Sequence, residues 1–257
     1  MDNNIKIFDS HAHYDSDCFV NNIDEILDEQ KNNGVRYIMN IGSSLESSRI
    51  CCELADKFDF VYAAVGVHPD DADKVDDNCI DELKNLAKNK KVKAIGEIGL
   101  DYHYEDVPRE IQKIAFQKQL ILEKELDLPV VIHSRDAFED TFALLKKYNP
   151  RGVMHCFSGS KESAREILKL EMYIGFTGVL TFKNAKKAVE AAREIPIDRL
   201  LLETDCPYMA PEPFRGKSSV SSMIRYTAQK LAEIKEMDLE EVLDKTLNNA
   251  KNLFDID

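Results

Sequence analysis

The chain has 257 residues, 44% of them apolar, and its 34 basic against 47 acidic side chains leave a formal net charge of −13. That length suits one large domain or two small ones, and α/β barrels commonly fill it as a single unit; the longest apolar stretches, such as "FVYAAVGV" (60–67), fall far short of a membrane span. An acidic surface repels polyanions at long range, which argues against nonspecific binding of duplex DNA through a basic face but leaves open a nucleic-acid substrate met by bound divalent cations.

The N-terminus carries no basic region followed by a hydrophobic segment and a cleavage site, so no secretory signal is expected. Six cysteines (Cys18, Cys51, Cys52, Cys79, Cys156 and Cys206) are scattered without a C-x-x-C pair, in a chain large enough to need no disulfide staples. A reducing cytoplasm is the expected compartment. Cys156 follows His155 and Cys206 follows Asp205; if those neighbours face a barrel interior on strands, each cysteine points away from it and acts as a small buried hydrophobe rather than a zinc ligand.

In chain order, short runs rich in Val, Ile and Leu alternate with longer amphipathic stretches. The runs are "IKIFD" (5–9), "VRYIMNIG" (35–42), "FVYAAVGV" (60–67), "VKAIGEIG" (92–99), "PVVIH" (129–133), "RGVMHCF" (151–157), "MYIGFTG" (172–178) and "RLLLETD" (199–205). Helix-like stretches fall at about 22–33, 44–57, 78–89, 109–127, 136–148, 160–170, 184–194, 219–236 and 239–252. Pro108 stands where a helix could begin, and Gly34 closes "ILDEQKNNG" at the expected C-terminal position. Nearly continuous apolar strands separated by helices imply a parallel sheet covered by helices. Eight such units suggest an α/β fold of the (β/α)8 TIM-barrel type in one domain spanning 1–257. No G-x-G-x-x-G follows the first strand, which argues against a doubly wound open sheet.

Barrel chemistry comes from the C-terminal ends of the strands. There the sequence places His11 and His13 after strand one, His68 ending strand three, Glu97 near the end of strand four, His133 ending strand five, His155 on strand six and Asp205 ending strand eight. Five of the six histidines belong to this set; His103, in the loop "LDYHYED", is read as a loop residue. Residues i and i+2 of a strand share a face, so His11 and His13 project side by side as metal ligands do. Histidines with carboxylates suit Zn, Mn, Fe or Co. Four histidines, a glutamate and an aspartate exceed what one tetrahedral ion needs, so two divalent ions are the natural count, with hydrolysis as the chemistry.

The motifs "IFDSHAHYD" (7–15), "GVHP" (66–69), "GEIGLDY" (96–102), "LPVVIHSRDAFED" (128–140), "HCFSG" (155–159) and "LLETDCPY" (201–208) resemble, in order and across nearly the whole chain, those of the TatD family of metal-dependent deoxyribonucleases. The resemblance implies a metal-dependent hydrolase barrel holding two ions (Zn, Mn or Mg). His11, His13 and Asp205 would hold one ion, His133 and His155 the other, and Glu97 would bridge them. Asp205 would also accept the proton of the attacking water, and His68, not a ligand, would contact the scissile phosphate or assist the leaving group. Related barrels acting on amides often carry a modified lysine on strand four; here that strand has Glu97 at the ligand position and Lys93 near its start, which favours the nuclease-like branch.

Arg135 and Arg215 are phosphate-binding candidates through their planar donor forks, while Tyr102 and Phe157 are expected to pack rather than stack on a base. Where family members have an Asn and then a Pro, this chain has "RGKSSVSSM", with Ser219 and Ser221 near those positions, so the grip on a substrate terminus differs here. The expected function is cleavage of phosphodiester bonds in single-stranded or frayed DNA from an end, by a monomer with no membrane partner. An ester or amide hydrolase, such as a D-aminoacyl-tRNA deacylase, is the alternative on the same scaffold, and a metal-binding protein without turnover is a third.

Overall fold

A computed structural model describes residues 5–104 and 106–257. Its strands are β1 (Ile7–Ala12), β2 (Val35–Ile41), β3 (Val61–Val65), β4 (Val92–Asp101), β5 (Val130–Arg135), β6 (Gly152–Met154), β7 (Tyr173–Phe176) and β8 (Leu200–Leu202). The helices are α1 (Ile23–Asn32), α2 (Leu45–Lys57), α3 (Asp77–Leu86), α4 (Arg109–Leu126), α5 (Phe138–Tyr148), α6 (Lys161–Leu168), α7 (Lys186–Glu194), α8 (Ile224–Lys235) and α9 (Leu239–Phe254). The strands form one eight-stranded sheet in chain order, β1 to β8, with helices between them: a (β/α)8 barrel. Among the described residues no helix is long and apolar enough to cross a membrane, and all six cysteines are free thiols.

By proximity the chain divides into two compact units, one of Asn40–His155 and Leu170–Met172, the other of Met1–Met39, Cys156–Lys169 and Tyr173–Asp257. In the first, β3, β4, β5 and β6 pair in parallel, with Gly99 opposite His133 and Val130 opposite Gly152. Its strand residues are buried on both faces, as a sheet between side-chain layers requires. In the second, β7 pairs with β8, and a parallel bridge joins Ala12 to Cys206, bringing the chain just past β8 back to β1. Turn chemistry follows the sequence: Gly34 has φ +93° and an added Cβ would lie 2.6 Å from the Ile5 carbonyl, so glycine alone fits there.

Several boundaries differ from the sequence expectation for local reasons. β6 and β8 end at Met154 and Leu202 rather than 157 and 205, because the backbone turns into the left-handed region at Cys156 (φ +46°) and Asp205 (φ +58°). The two cysteines beside His155 and Asp205 therefore lie past the strands, not on their outer faces. α8 starts at Ile224, five residues later than expected, because a 3-10 turn over Ser221–Met223, tied by Ser221 to Asp9 and Tyr14, leads into it.

Candidate metal centre

His11 lies near the end of β1 and His13 just beyond it, and their Nε2 atoms face each other at 3.0 Å. Asp205 Oδ1 is 3.6 Å from His11 Nε2 and 3.5 Å from His13 Nε2. Backbone pairing makes this convergence: the Asp205 amide donates to the His11 carbonyl, and the His13 amide donates to the Cys206 carbonyl, both at 2.9 Å. Beneath it Asp9 is wholly buried. Its carboxylate accepts the Thr204 amide (3.0 Å), the Thr204 hydroxyl (2.6 Å), the Ser221 hydroxyl (2.7 Å) and the His11 amide (3.3 Å). Burial pushes the Asp9 carboxyl up to about 6, against the opposing pull of the Thr204 and Ser221 hydrogen bonds.

A second set of donors gathers around Glu97, which is buried in the middle of β4 rather than at its end. Glu97 Oε1 is 2.8 Å from His133 Nδ1 and 2.7 Å from His155 Nε2, and those two nitrogens are 3.3 Å apart. His155 stands one residue past β6. The other nitrogen of His133, Nε2, lies 3.0 Å from Asp101 Oδ2, an arrangement in which a carboxylate orients a ligand imidazole from behind. Burial pulls the His133 imidazole down, but Asp101 and Glu97 outweigh it and raise its pKa to about 10.

His68 does not end β3; it stands three residues past Val65 and caps the short helical turn Pro69–Lys74. The Asp70 amide donates to His68 Nδ1 at 3.2 Å, so in the neutral ring Nε2 carries the proton. Nε2 is 3.9 Å from Glu97 Oε1, and the ring meets that of His133 edge-on at 4.4 Å. A metal ligand at Nε2 would need the opposite tautomer, which the Asp70 amide disfavours. The same ring, once protonated, has the Asp70 carboxylate 3.4 Å from Nδ1, and that contact holds Asp70 below the usual carboxylate range.

The donor sets fit divalent ions. Two ligands each about 2.0–2.1 Å from a tetrahedral zinc lie roughly 3.3 Å apart; the separations in the first set, 3.0–3.6 Å, bracket that spacing, and those in the second, 2.7–3.3 Å, reach it. Imidazole nitrogens turned toward one another and toward a carboxylate are lone pairs that a cation satisfies together, whereas protons alone satisfy them only in part. Among the described residues the groups with metal-ligand geometry draw on His, Asp and Glu, with no cysteine.

The remaining candidates fall elsewhere. Arg135 and Arg215 are exposed, their guanidinium groups 5.1 Å above the Tyr104 ring and 4.0 Å above the Phe182 ring. Tyr102 donates its hydroxyl to Asp140 at 2.7 Å beneath Arg109, and Phe157 is buried against Phe176. His103 is a loop residue whose Nδ1 lies 3.1 Å from Asp136 Oδ2, while its amide donates to Asp101 Oδ1 at 2.8 Å. Among the described residues four buried carboxylates escaped the sequence reading: Asp9, Asp101, Glu123 and Glu203. Glu203 accepts the amide of Cys156 at 2.5 Å and the hydroxyl of Ser10 at 3.4 Å. The sequence does carry a trace of Asp9 and Glu203, since each sits inside or at the end of an apolar strand run, where an unpaired charge would be costly.

Comparison with known proteins agrees with the fold and with a metal-dependent hydrolase. The family model described as TatD related DNase matches residues 8–255. An uncharacterised metal-dependent hydrolase of Bacillus subtilis, YabD, is 44% identical over 97% of this chain and 99% of its own length. Its counterpart YcfH of Escherichia coli K12 is 36% identical over 98% and 96% of the two chains. Among solved structures, the TatD homolog YJJV of Escherichia coli superposes with a TM-score of 0.92 at 31% identity, covering 98% of both chains. A TatD-family hydrolase of Entamoeba histolytica reaches 0.88 at 26% identity, covering 98% of this chain and 99% of that one. A barrel with these donor sets, matched by the family model over all but its ends, belongs to the TatD family of metal-dependent hydrolases.

Proposed function

We propose that the protein is a phosphodiesterase that shortens single-stranded or frayed DNA from an end, using two divalent ions, Zn, Mn or Mg, per chain. The observation that carries this is the pair of donor sets, His11–His13–Asp205 and Glu97–His133–His155, with a histidine beside the second that presents a proton rather than a lone pair. The family description as a DNase supports the same reading.

His11, His13 and Asp205 would hold one ion, and Glu97, His133 and His155 the other. Bound there, divalent cations supply an acidified water and neutralise charge that develops on the phosphoryl oxygens. Asp205, partly open to solvent, accepts the proton of the attacking water. His68, its Nδ1 accepting the Asp70 amide, offers its Nε2 hydrogen to the departing oxygen as a hydrogen bond, and the proton that oxygen finally takes comes from solvent. Arg135 and Arg215, exposed and propped on aromatic rings, take flanking phosphates. A monomer in the cytoplasm, with free thiols, completes the reading.

The test is metal-stripped protein reconstituted separately with Mg, Mn and Zn and assayed on end-labelled single-stranded DNA beside Asp205→Asn. Stepwise, metal-dependent shortening that vanishes in the variant is expected. Two bound ions with no cleavage, but with hydrolysis of a D-aminoacyl-tRNA ester, would overturn the substrate assignment and leave the metal-dependent hydrolase intact.

A further inference from the structure

Helix α4 is partly inside out. Ile111, Ile114 and Ile121 face solvent, at 38%, 56% and 56% exposure, while Gln112 and Gln119 are turned inward, at 2% and 1%. Exposed isoleucines and buried primary amides are the reverse of what a barrel helix needs for packing alone, and sequences break a local rule of this kind mostly where function demands it.

Both glutamines make the same contact. Gln119 Oε1 accepts the Val67 amide at 2.8 Å, and its Nε2 donates to the Val67 carbonyl at 3.0 Å. Gln112 Oε1 accepts the Asp101 amide at 2.9 Å, and its Nε2 donates to the Asp101 carbonyl at 2.8 Å, with a further bond to the Val107 carbonyl at 3.0 Å. Each side chain thus grips both backbone groups of one residue, as a neighbouring strand would, at a place where a strand has ended or is ending. Seven residues apart, the two amides lie on one face of the helix, roughly 10.5 Å from each other along its axis.

The gripped residues are not arbitrary. Val67 immediately precedes His68, and Asp101 is the carboxylate behind His133. We propose that α4 is the positioning element of the Glu97–His133–His155 donor set and the histidine beside it: Gln119, through Val67, aims His68, and Gln112, through Asp101, aims His133. This rests on the metal-centre reading above. Only a primary amide serves in this role, since it donates and accepts at once, whereas a carboxylate cannot donate and a thioether does neither well.

The test compares Gln112→Met and Gln119→Met, backed by the nearly isosteric Gln112→Glu and Gln119→Glu should either Met variant fail to fold, with Leu120→Ala as a control that opens a cavity in the same buried helix while leaving both amides in place. Zinc affinity is measured by competition with a chromophoric chelator, the state of the His68 ring by nitrogen-15 NMR, and kcat and KM on an oligodeoxynucleotide. Gln112→Met is expected to weaken ion binding about 10-fold or more and to leave the His68 signals in place. Gln119→Met is expected to bind zinc as the wild type does, to shift the His68 signals, and to lower kcat roughly 10- to 100-fold with KM little changed. Leu120→Ala should lower the melting temperature and change neither readout. Variants that lose only melting temperature, as the control does, would overturn the proposal. A wild-type protein that binds no ion would instead overturn the metal-centre reading, and the His68 signals would still judge Gln119.

Discussion

His133 is held from both sides, with Asp101 Oδ2 3.0 Å from its Nε2 and Glu97 Oε1 2.8 Å from its Nδ1. Of the two carboxylates, Asp101 lies on the far side of the ring from the other donors, so its work is to fix the ring's orientation and raise its basicity. Asp101→Asn keeps the size of the side chain and its place on β4 but removes the charge. It should leave the fold intact and weaken divalent-ion binding about 10- to 100-fold, measured by chelator competition. Unchanged affinity would deny Asp101 this part.

The same pair fixes a pH dependence. In the metal-free protein the folded-state pKa of His133 is about 10, above the usual 6.5. The proton therefore stabilises the folded state fully below about pH 6.5, and that contribution is lost as pH rises through about 10. A ligand imidazole must be deprotonated, so ion binding at pH 8 should expel a proton. Calorimetry in buffers of different ionisation enthalpy should show this release, and Asp101→Asn should reduce it. Binding enthalpies that do not vary with buffer would contradict the assignment.

Much of the barrel was legible because its strands are buried on both faces and so read as unbroken apolar runs, "AAV" and "VVI" among them. The convergence of His11 and His13 followed from strand periodicity, and Pro108 and Gly34 marked a helix start and a helix end. What stayed hidden was whatever depends on partners distant in the chain. Asp101 looks like a loop aspartate until His133, 32 positions on, is placed behind it. The strand ends at Cys156 and Asp205 were missed because left-handed backbone at a non-glycine residue leaves no mark in composition. α4 shows a different limit: Ala115, Phe116, Leu120 and Leu122 are buried as in any barrel helix, but Gln112 and Gln119 share that burial, and nothing in composition marks two amides as belonging inside.

Asp9 makes a separate prediction. Its carboxylate accepts four hydrogen bonds, two of them from Thr204 and one from Ser221, and so joins β1 to the segment carrying Asp205 and to the start of the α8 region. Asp9→Ala leaves the Thr204 amide and two hydroxyls buried without their acceptor, at a cost of about 2–4 kcal/mol. Urea unfolding should show the loss. Ion binding at His11, His13 and Asp205 should weaken with it, because the backbone pairing that brings these residues together runs through the same segment.

Glu203 and Gly175 test the support from the other direction. The Glu203 carboxylate occupies the space a side chain at position 175 would need: a Cβ there would lie 2.4 Å from Oε2 and 2.7 Å from Oε1. The carboxylate cannot retreat freely, because Oε1 accepts the Cys156 amide at 2.5 Å and Oε2 the Ser10 hydroxyl at 3.4 Å. Gly175→Ala should therefore cost about 1–3 kcal/mol as overpacking and dislodge Glu203 from the Cys156 amide, which belongs to the residue directly after His155. Glu203→Gln keeps an acceptor for that amide without adding volume, so it should be better tolerated in urea unfolding than Gly175→Ala. If the alanine variant were as stable as the wild type, the carboxylate would have room to move and its hold on Cys156 would not matter to the fold.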